Sequence, residues 1–357
     1  MKLRTFVLFI ISLTICSCRN PDRIVPLDMS PIDAKGKVLF ISQRIPNSSD
    51  WQIFTMNADG SNQRLLSDSL VRCASPVLSH DQSKIAFTTY DKSFNYNLYV
   101  IDSNGNNLVR IARAKFFCGS PTWSGDDSKL AYVKQTDLNG NYNIYVTDHD
   151  GSNETLLTQE NNNSCPTFFP QSNTLAYASS NGNWTGIFSM AIDGQNKKLL
   201  TPTDKSFSEP TISPDGNKIV INSVDWKGSQ LFTMNADGSS LKQITFTVSS
   251  VYFDSGYPRD GNGSPVWSPD GSRIVYVSYE NGSPDIFVIN SDGSDNKRLT
   301  NTPMRDEYPC WSNDGNYILF SSNRDQPGSR IYIMRTEGQL QNPLTQFEDI
   351  CPTFIGK

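Results

Sequence analysis

Residues 265–300 begin Pro265-Val266-Trp267-Ser268-Pro269-Asp270-Gly271, pass through Ile274-Val275-Tyr276 and Ile286-Phe287-Val288-Ile289-Asn290, and close on Asp292-Gly293 and Leu299-Thr300. The Ser-Pro-Asp-Gly and Asp-Gly phrases are turn chemistry. Glycine supplies the positive φ of a tight hairpin, and the aspartate bonds to the backbone two residues on. Between the turns lie two short stretches that are apolar at consecutive positions, the pattern of strands covered on both faces. Such a unit cannot bury its own faces. It needs a copy of itself on each side.

The copies are present. Aligning on the proline gives Pro76, Pro121, Pro166, Pro210, Pro265, Pro309 and Pro352, at intervals of 45, 45, 44, 55, 44 and 43 residues. After each of the first six comes a turn and an apolar strand, as at Ile85-Ala86-Phe87, Leu130-Ala131-Tyr132 and Ile318-Leu319-Phe320. A polar loop leads to a second apolar strand, such as Leu98-Tyr99-Val100 or Ile331-Tyr332-Ile333, and the unit ends near Leu-Thr. Units of this length with four strands are propeller blades. The first unit, from Val38, lacks a proline strand, and the orphan proline strand Cys351-Pro352-Thr353-Phe354 is the last in the chain. One blade built from both ends closes the ring and leaves no open sheet edge. The expected fold is an all-β, seven-bladed β-propeller over residues 37–357.

The pattern Pro-x-Trp-Ser-Pro-Asp-Gly…Ile-Phe-x-Met-Asn-x-Asp-Gly…Leu-Thr resembles the WD40-like β-propeller repeat of TolB and its relatives. Residues 265–300 carry it almost fully. The resemblance implies the propeller fold and leaves the function open, because such propellers serve both as scaffolds and as accessory domains of enzymes.

The first eighteen residues differ from the rest. A positive start at Lys2 and Arg4 precedes an apolar run from Thr5 to Ile15, too short for a bilayer of about 30 Å and of signal-peptide length. Ile15-Cys16-Ser17-Cys18 resembles a bacterial lipobox, with an aliphatic residue at −3 and a small one at −1. The reading is a lipoprotein signal peptide over residues 1–17, lipidation at Cys18, a tether over residues 18–36, and a place in the cell envelope at the outer membrane. The lipid would be the protein's only membrane contact.

With 37% hydrophobic and 19% charged residues, 23 Gly and 20 Pro, the composition suits short strands and tight turns. A net charge of −5, with no basic run of five or more, argues against a nucleic-acid partner. Catalysis by a histidine triad is disfavoured. The two histidines, His80 and His149, replace ordinary turn residues, and no Gly-x-Ser-x-Gly elbow occurs. Two turn histidines also make no metal cluster, so neither metal nor cofactor is expected. Cys73 and Cys118 hold the same place in adjacent units, three residues before their prolines, and an exported protein meets an oxidising compartment. A Cys73–Cys118 disulfide is therefore an expectation.

One face of the disc carries the monotonous turns. The other carries the variable loops, rich in aromatic residues: Trp51, Phe94, Tyr96, Phe116, Phe117 and Tyr142 among them. The longest link, Thr245 to Ser264, accounts for the 55-residue interval. Insertions on a rigid scaffold commonly carry binding. The expected ligand contacts are Trp184, Trp226, Tyr252, Tyr257, Arg259 and Tyr279. The functional expectation is a monomeric, non-catalytic scaffold that binds an envelope protein or a glycan through its loop-rich face. The alternative is a surface lyase or hydrolase acting on carbohydrate or peptide at the channel.

Overall fold

The computed structural model describes residues 34–44, 50–67, 70, 72–91, 95–136, 140–225, 228–246, 262–325 and 328–355. It contains seven antiparallel four-stranded sheets. Six are formed by consecutive strands, as in the sheet of Asn262–Trp267, Arg273–Ser278, Asp285–Asn290 and Lys297–Arg298. The seventh joins the two ends: Asp349–Ile355 pairs with Lys37–Ser42, which pairs with Gln52–Asn57 and then Arg64–Leu65. Numbered from this one, blades 1 to 7 are those whose second strands begin at Lys37, Lys84, Lys129, Thr174, Lys218, Arg273 and Tyr317. The seven-bladed ring and its closure by the chain ends agree with the sequence reading.

Seven apolar layers, one between each pair of neighbouring blades, make up the core. Alternation along a strand sends successive side chains to opposite layers. Ile219 and Ile221 pack toward blade 4, while Val220 between them packs toward blade 6. This is why the strands read as consecutive apolar runs.

Each part of the repeat has a bond that explains it. In Ser-Pro-Asp-Gly the serine hydroxyl donates to the aspartate and accepts the backbone N–H five residues on, as Ser268 does with Asp270 at 2.5 Å and Arg273 at 2.9 Å. The closing threonine accepts a third-strand N–H: Thr158 from Ile144, Thr201 from Ile187, Thr245 from Leu231, Thr300 from Ile286, Thr345 from Ile331. In blade 1 Ser67 plays this part for Ile53. Blade 2 departs from the pattern. Its outer strand, Val109–Ala114, has six residues where the others have two, and backbone pairing replaces the hydroxyl cap. The tryptophan of the motif ties blade to blade. Trp123, Trp267 and Trp311 each donate Nε1–H to the carbonyl one residue after the repeat proline of the preceding blade: Val77, Thr211 and Val266. The Asn-Ala-Asp-Gly turn needs its glycine. Gly238 has φ of +88°, and a Cβ there would lie 2.6 Å from the Leu200 carbonyl oxygen of the preceding blade.

The expected Cys73–Cys118 disulfide is not formed; both are free, buried thiols. Cys73 packs in the layer between blades 1 and 2, and its Sγ lies 3.6 Å from Ser67 Oγ. Cys118 packs in the next layer, between blades 2 and 3. Equivalent places in adjacent blades point into different layers, with a sheet between them. Burial pushes the two thiols up to about 11 and about 12, so both are protonated and inert at neutral pH.

Candidate functional site at the channel mouth

The seven inner strands follow one another around the axis of the ring, blade against blade. Every one carries a β-bulge at its X-Pro step. The register slips in blade after blade, for example between Ser208 and Thr211 or between Glu307 and Cys310. The residue before each proline is left-handed: Ser75, Ser120, Cys165, Glu209, Ser264, Tyr308 and Cys351 all have φ between 49° and 54°. None is glycine, so each step holds strain on the order of 1–3 kcal/mol, which ring closure must stabilise. The bulge takes this residue out of the ladder, and five of the seven are exposed, lining the channel. One backbone device thus presents seven side chains that the sheet itself does not need.

Three consecutive members of this ring, Glu209, Ser264 and Tyr308 of blades 5, 6 and 7, line a cavity of about 270 Å³ at the mouth of the channel. Asn222, Tyr279 and Glu307 complete its polar wall. Asn222 donates Nδ2–H to Glu209 Oε2 at 2.6 Å, but its Oδ1, fully buried, has no partner among the described residues. Glu307 accepts from Tyr279 Oη at 3.1 Å and from Arg305 at 2.6 and 3.1 Å. Burial raises the Tyr308 phenol, and Glu307 nearby adds to the effect. Burial, with Glu307 nearby, pushes the Cys351 thiol up to about 12. The mouth therefore presents the Glu209 and Glu307 carboxyl groups beside the protonated phenol of Tyr308, and suits a ligand that offers N–H or O–H donors to the former and an acceptor to the latter. Among the described residues no three His, Cys, Asp or Glu side chains converge as a metal ion would require.

Residues 34–251 and 255–351 match the family described as PD40: TolB beta propeller domain. The chain belongs to the TolB beta propeller family. One curated relative, the Tol-Pal system protein TolB of Bordetella pertussis, is 29% identical over 120 residues, 21% of this chain and 27% of the relative's length. The chain thus matches well under half of that relative. Among solved structures, TolB from Acinetobacter baumannii is 19% identical with a TM-score of 0.55, covering 90% of this chain and 82% of that one. The oligogalacturonate lyase from Vibrio parahaemolyticus is 14% identical with a TM-score of 0.62, covering 84% and 86%. Likenesses at this level show the fold. The TolB and lyase structures share this fold, so the site has to carry the function.

Of the sequence-predicted contacts, the structure places Tyr279 in the mouth, bonded to Glu307. Trp184 is elsewhere, on blade 4, stacked on Phe188 with ring centroids 6.4 Å apart. Trp226, Tyr252, Tyr257 and Arg259 lie outside the described residues, as does Cys18. The loop aromatics of blades 2 and 3 are largely packed on one another: Tyr90, Tyr96, Phe117 and Tyr142 form a chain of ring contacts at 5.9, 5.6 and 5.4 Å. His80 sits in its turn with Nδ1 2.8 Å from Asp127 of the next blade, far in role from any channel group. The sequence reading passed over Glu209, Glu307 and Tyr308. The signal was available, since they stand at or beside the repeat proline, where most other units carry serine, cysteine or another small residue.

Proposed function

We propose that the protein is a binding scaffold of the bacterial cell envelope, and that its ligand or partner segment seats in the channel mouth over blades 5, 6 and 7. The observation that carries this is the cavity itself: Glu209, Ser264 and Tyr308, three consecutive and chemically varied members of the inner ring, line it together. In the sequence, the long link from Thr245 to Ser264 ends at this cavity, so its Tyr252, Tyr257 and Arg259, with Trp226 of the preceding loop, belong to the same reading as further contacts. The Tol-Pal name of the matched relative supports a protein partner in the envelope. The lipobox-like Ile15-Cys16-Ser17-Cys18 supports a lipid anchor at Cys18.

The test fills the cavity. Ser264→Trp places a large ring in the mouth at a backbone conformation that Tyr308 already tolerates. Parent and variant, immobilised, are screened against envelope extracts and a glycan panel. A ligand retained by the parent and lost by a variant of unchanged melting temperature supports the site. Equal retention by both refutes it. Separately, Cys18→Ala should release the protein from the membrane fraction; unchanged association would refute the anchor.

A further inference from the structure

Three blades carry a tyrosine at the same place in the second strand: Tyr132 in blade 3, Tyr177 in blade 4 and Tyr276 in blade 6. In blade 3 the Tyr132 hydroxyl donates to the Glu154 carboxylate, which also accepts from Lys134 Nζ at 2.9 and 3.0 Å. In blade 6 the Tyr276 hydroxyl donates to Asn296 Oδ1 at 2.8 Å. Glu154 and Asn296 immediately precede the outer strands of their blades. The pairing register makes Lys197 their counterpart in blade 4. A lysine offers no acceptor. The Tyr177 hydroxyl has no hydrogen bond among the described residues, although the residue is only 3% exposed. Burial pushes it up to about 12, so it remains a donor at neutral pH.

Around this orphan hydroxyl lies a groove of about 510 Å³, between the link from blade 3 to blade 4 and the flank of blade 4. Lys197, Ser179 and the amides of Gln159, Asn161 and Gln195 line it. Leu156, 37% exposed, forms an apolar lip. The volume is that of a ligand site rather than of one side chain.

We propose that this groove is a second binding site, taking an extended segment of a partner protein that carries a single carboxylate among neutral residues. The partner's carboxylate occupies in blade 4 the place that Glu154 occupies in blade 3, held by a tyrosine hydroxyl and a lysine ammonium. Charge-assisted bonds of this kind are the strong ones. Two features favour a peptide over a sugar. The rings here are engaged with one another, Phe188 stacking on Tyr177 at 5.8 Å and on Trp184 at 6.4 Å, so they form no open platform. The amides and Leu156 suit peptide groups and an apolar neighbour. Glu160 and Asp193 also line the groove, and the Asp193 carboxylate caps its own turn by accepting from Gln195 N at 2.9 Å. Their charge disfavours a run of acids and selects one acid flanked by neutral residues.

The experiment is a methyl-NMR titration of the full chain, observing Leu156 and Leu157. The probes are acetyl-Ala-Glu-Ala-amide, its Gln counterpart and a neutral disaccharide. The Glu peptide should shift the Leu156 and Leu157 methyls in a saturable way, with the Gln peptide at least about fivefold weaker. Tyr177→Phe and Lys197→Glu should each weaken the Glu peptide by a similar factor. Lys197→Glu should not lower the melting temperature, because it supplies Tyr177 with the acceptor that blade 3 already has. Ser264→Trp, at the channel mouth, should leave the titration unchanged. Equal shifts by the Glu and Gln peptides, no shift by either, or binding of the disaccharide alone would overturn the proposal, as would an unaltered titration in Lys197→Glu.

Discussion

The turn face and the channel mouth are built from the same seven-fold backbone, yet they use it in opposite ways. On the turn face one structural bond recurs in five of the six first turns: Ser79 with Asp81, Ser124 with Asp126, Ser213 with Asp215, Ser268 with Asp270, Ser312 with Asp314; blade 4 has Phe169 and Gln171 there instead. At the inner ring the repeat fixes only the backbone, a left-handed bulge before proline, and leaves the side chain to vary from Ser75 to Glu209 to Tyr308. Regular chemistry marks what the fold consumes, and irregular chemistry on a regular backbone marks what is left over for binding.

The largest effect should come from breaking the ring that both faces depend on. Deleting residues 351–357 removes most of the strand that pairs with Lys37–Ser42 and opens a sheet edge. The loss should be several kcal/mol. A truncated protein melting within about 2 °C of the parent would show that closure is dispensable. Next comes the link between blades. Trp267→Ala leaves a cavity in the layer between blades 5 and 6 and should cost about 3–5 kcal/mol in denaturant unfolding, whereas Trp267→Phe loses chiefly the bond to Thr211 O, about 1 kcal/mol. If the two variants unfold alike, the inter-blade hydrogen bond is not what the indole contributes.

Smaller again is the blade cap. Thr300→Val keeps the shape and strands the buried Ile286 N–H, at a cost of about 1–3 kcal/mol. The comparison sharpens if the corresponding change at an inner-ring residue is silent. Tyr308→Ser copies the residue of blades 2, 3 and 6, and should stay within about 0.5 kcal/mol of the parent while altering ligand capture. A marked loss of stability there would mean that the ring residues are structural after all.

The turn aspartates give a pH test with a defined sign. Hydrogen bonds from Ser124 and Ser128 hold Asp126 down at about 2, and those from Ser268 and Ser272 do the same for Asp270. The Lys129 and Asn153 side chains lower Asp148 likewise. A carboxyl whose folded value lies below its unfolded value of about 3.9 stabilises the fold above that unfolded value. That contribution is lost as pH falls through the folded value. Thermal melts should hence be flat near neutrality and fall between about pH 4 and pH 2, and Asp270→Asn should flatten part of the fall. An identical acid profile in the variant would deny the turn its role.

The architecture was legible because its causes are local. Asp-Gly turns, consecutive apolar strands and the proline spacing state the blade, and the orphan Cys351-Pro352-Thr353-Phe354 states the closure. The sites were not legible in the same way. Trp184 looks like an exposed aromatic in the sequence, but Phe188, four residues on, stacks against it. Equivalent places also misled: Cys73 and Cys118 align in the repeat, yet each faces a different layer, because a blade has two sides and successive blades present them to different neighbours.

By itself, then, the sequence determined the repeating unit, the number of blades and the way the ring closes, since these follow from turn chemistry and strand periodicity within spans of about 45 residues. Only the tertiary structure decided which chemistry shares a cavity. Glu209, Ser264 and Tyr308 stand 55 and 44 residues apart in the chain, and closing the ring brings them to one mouth. The tyrosine–lysine groove of blade 4 likewise exists only because Lys197 stands where blade 3 has Glu154, a difference that acquires meaning once the strands are paired and Tyr177 lines the groove with no acceptor for its hydroxyl among the described residues.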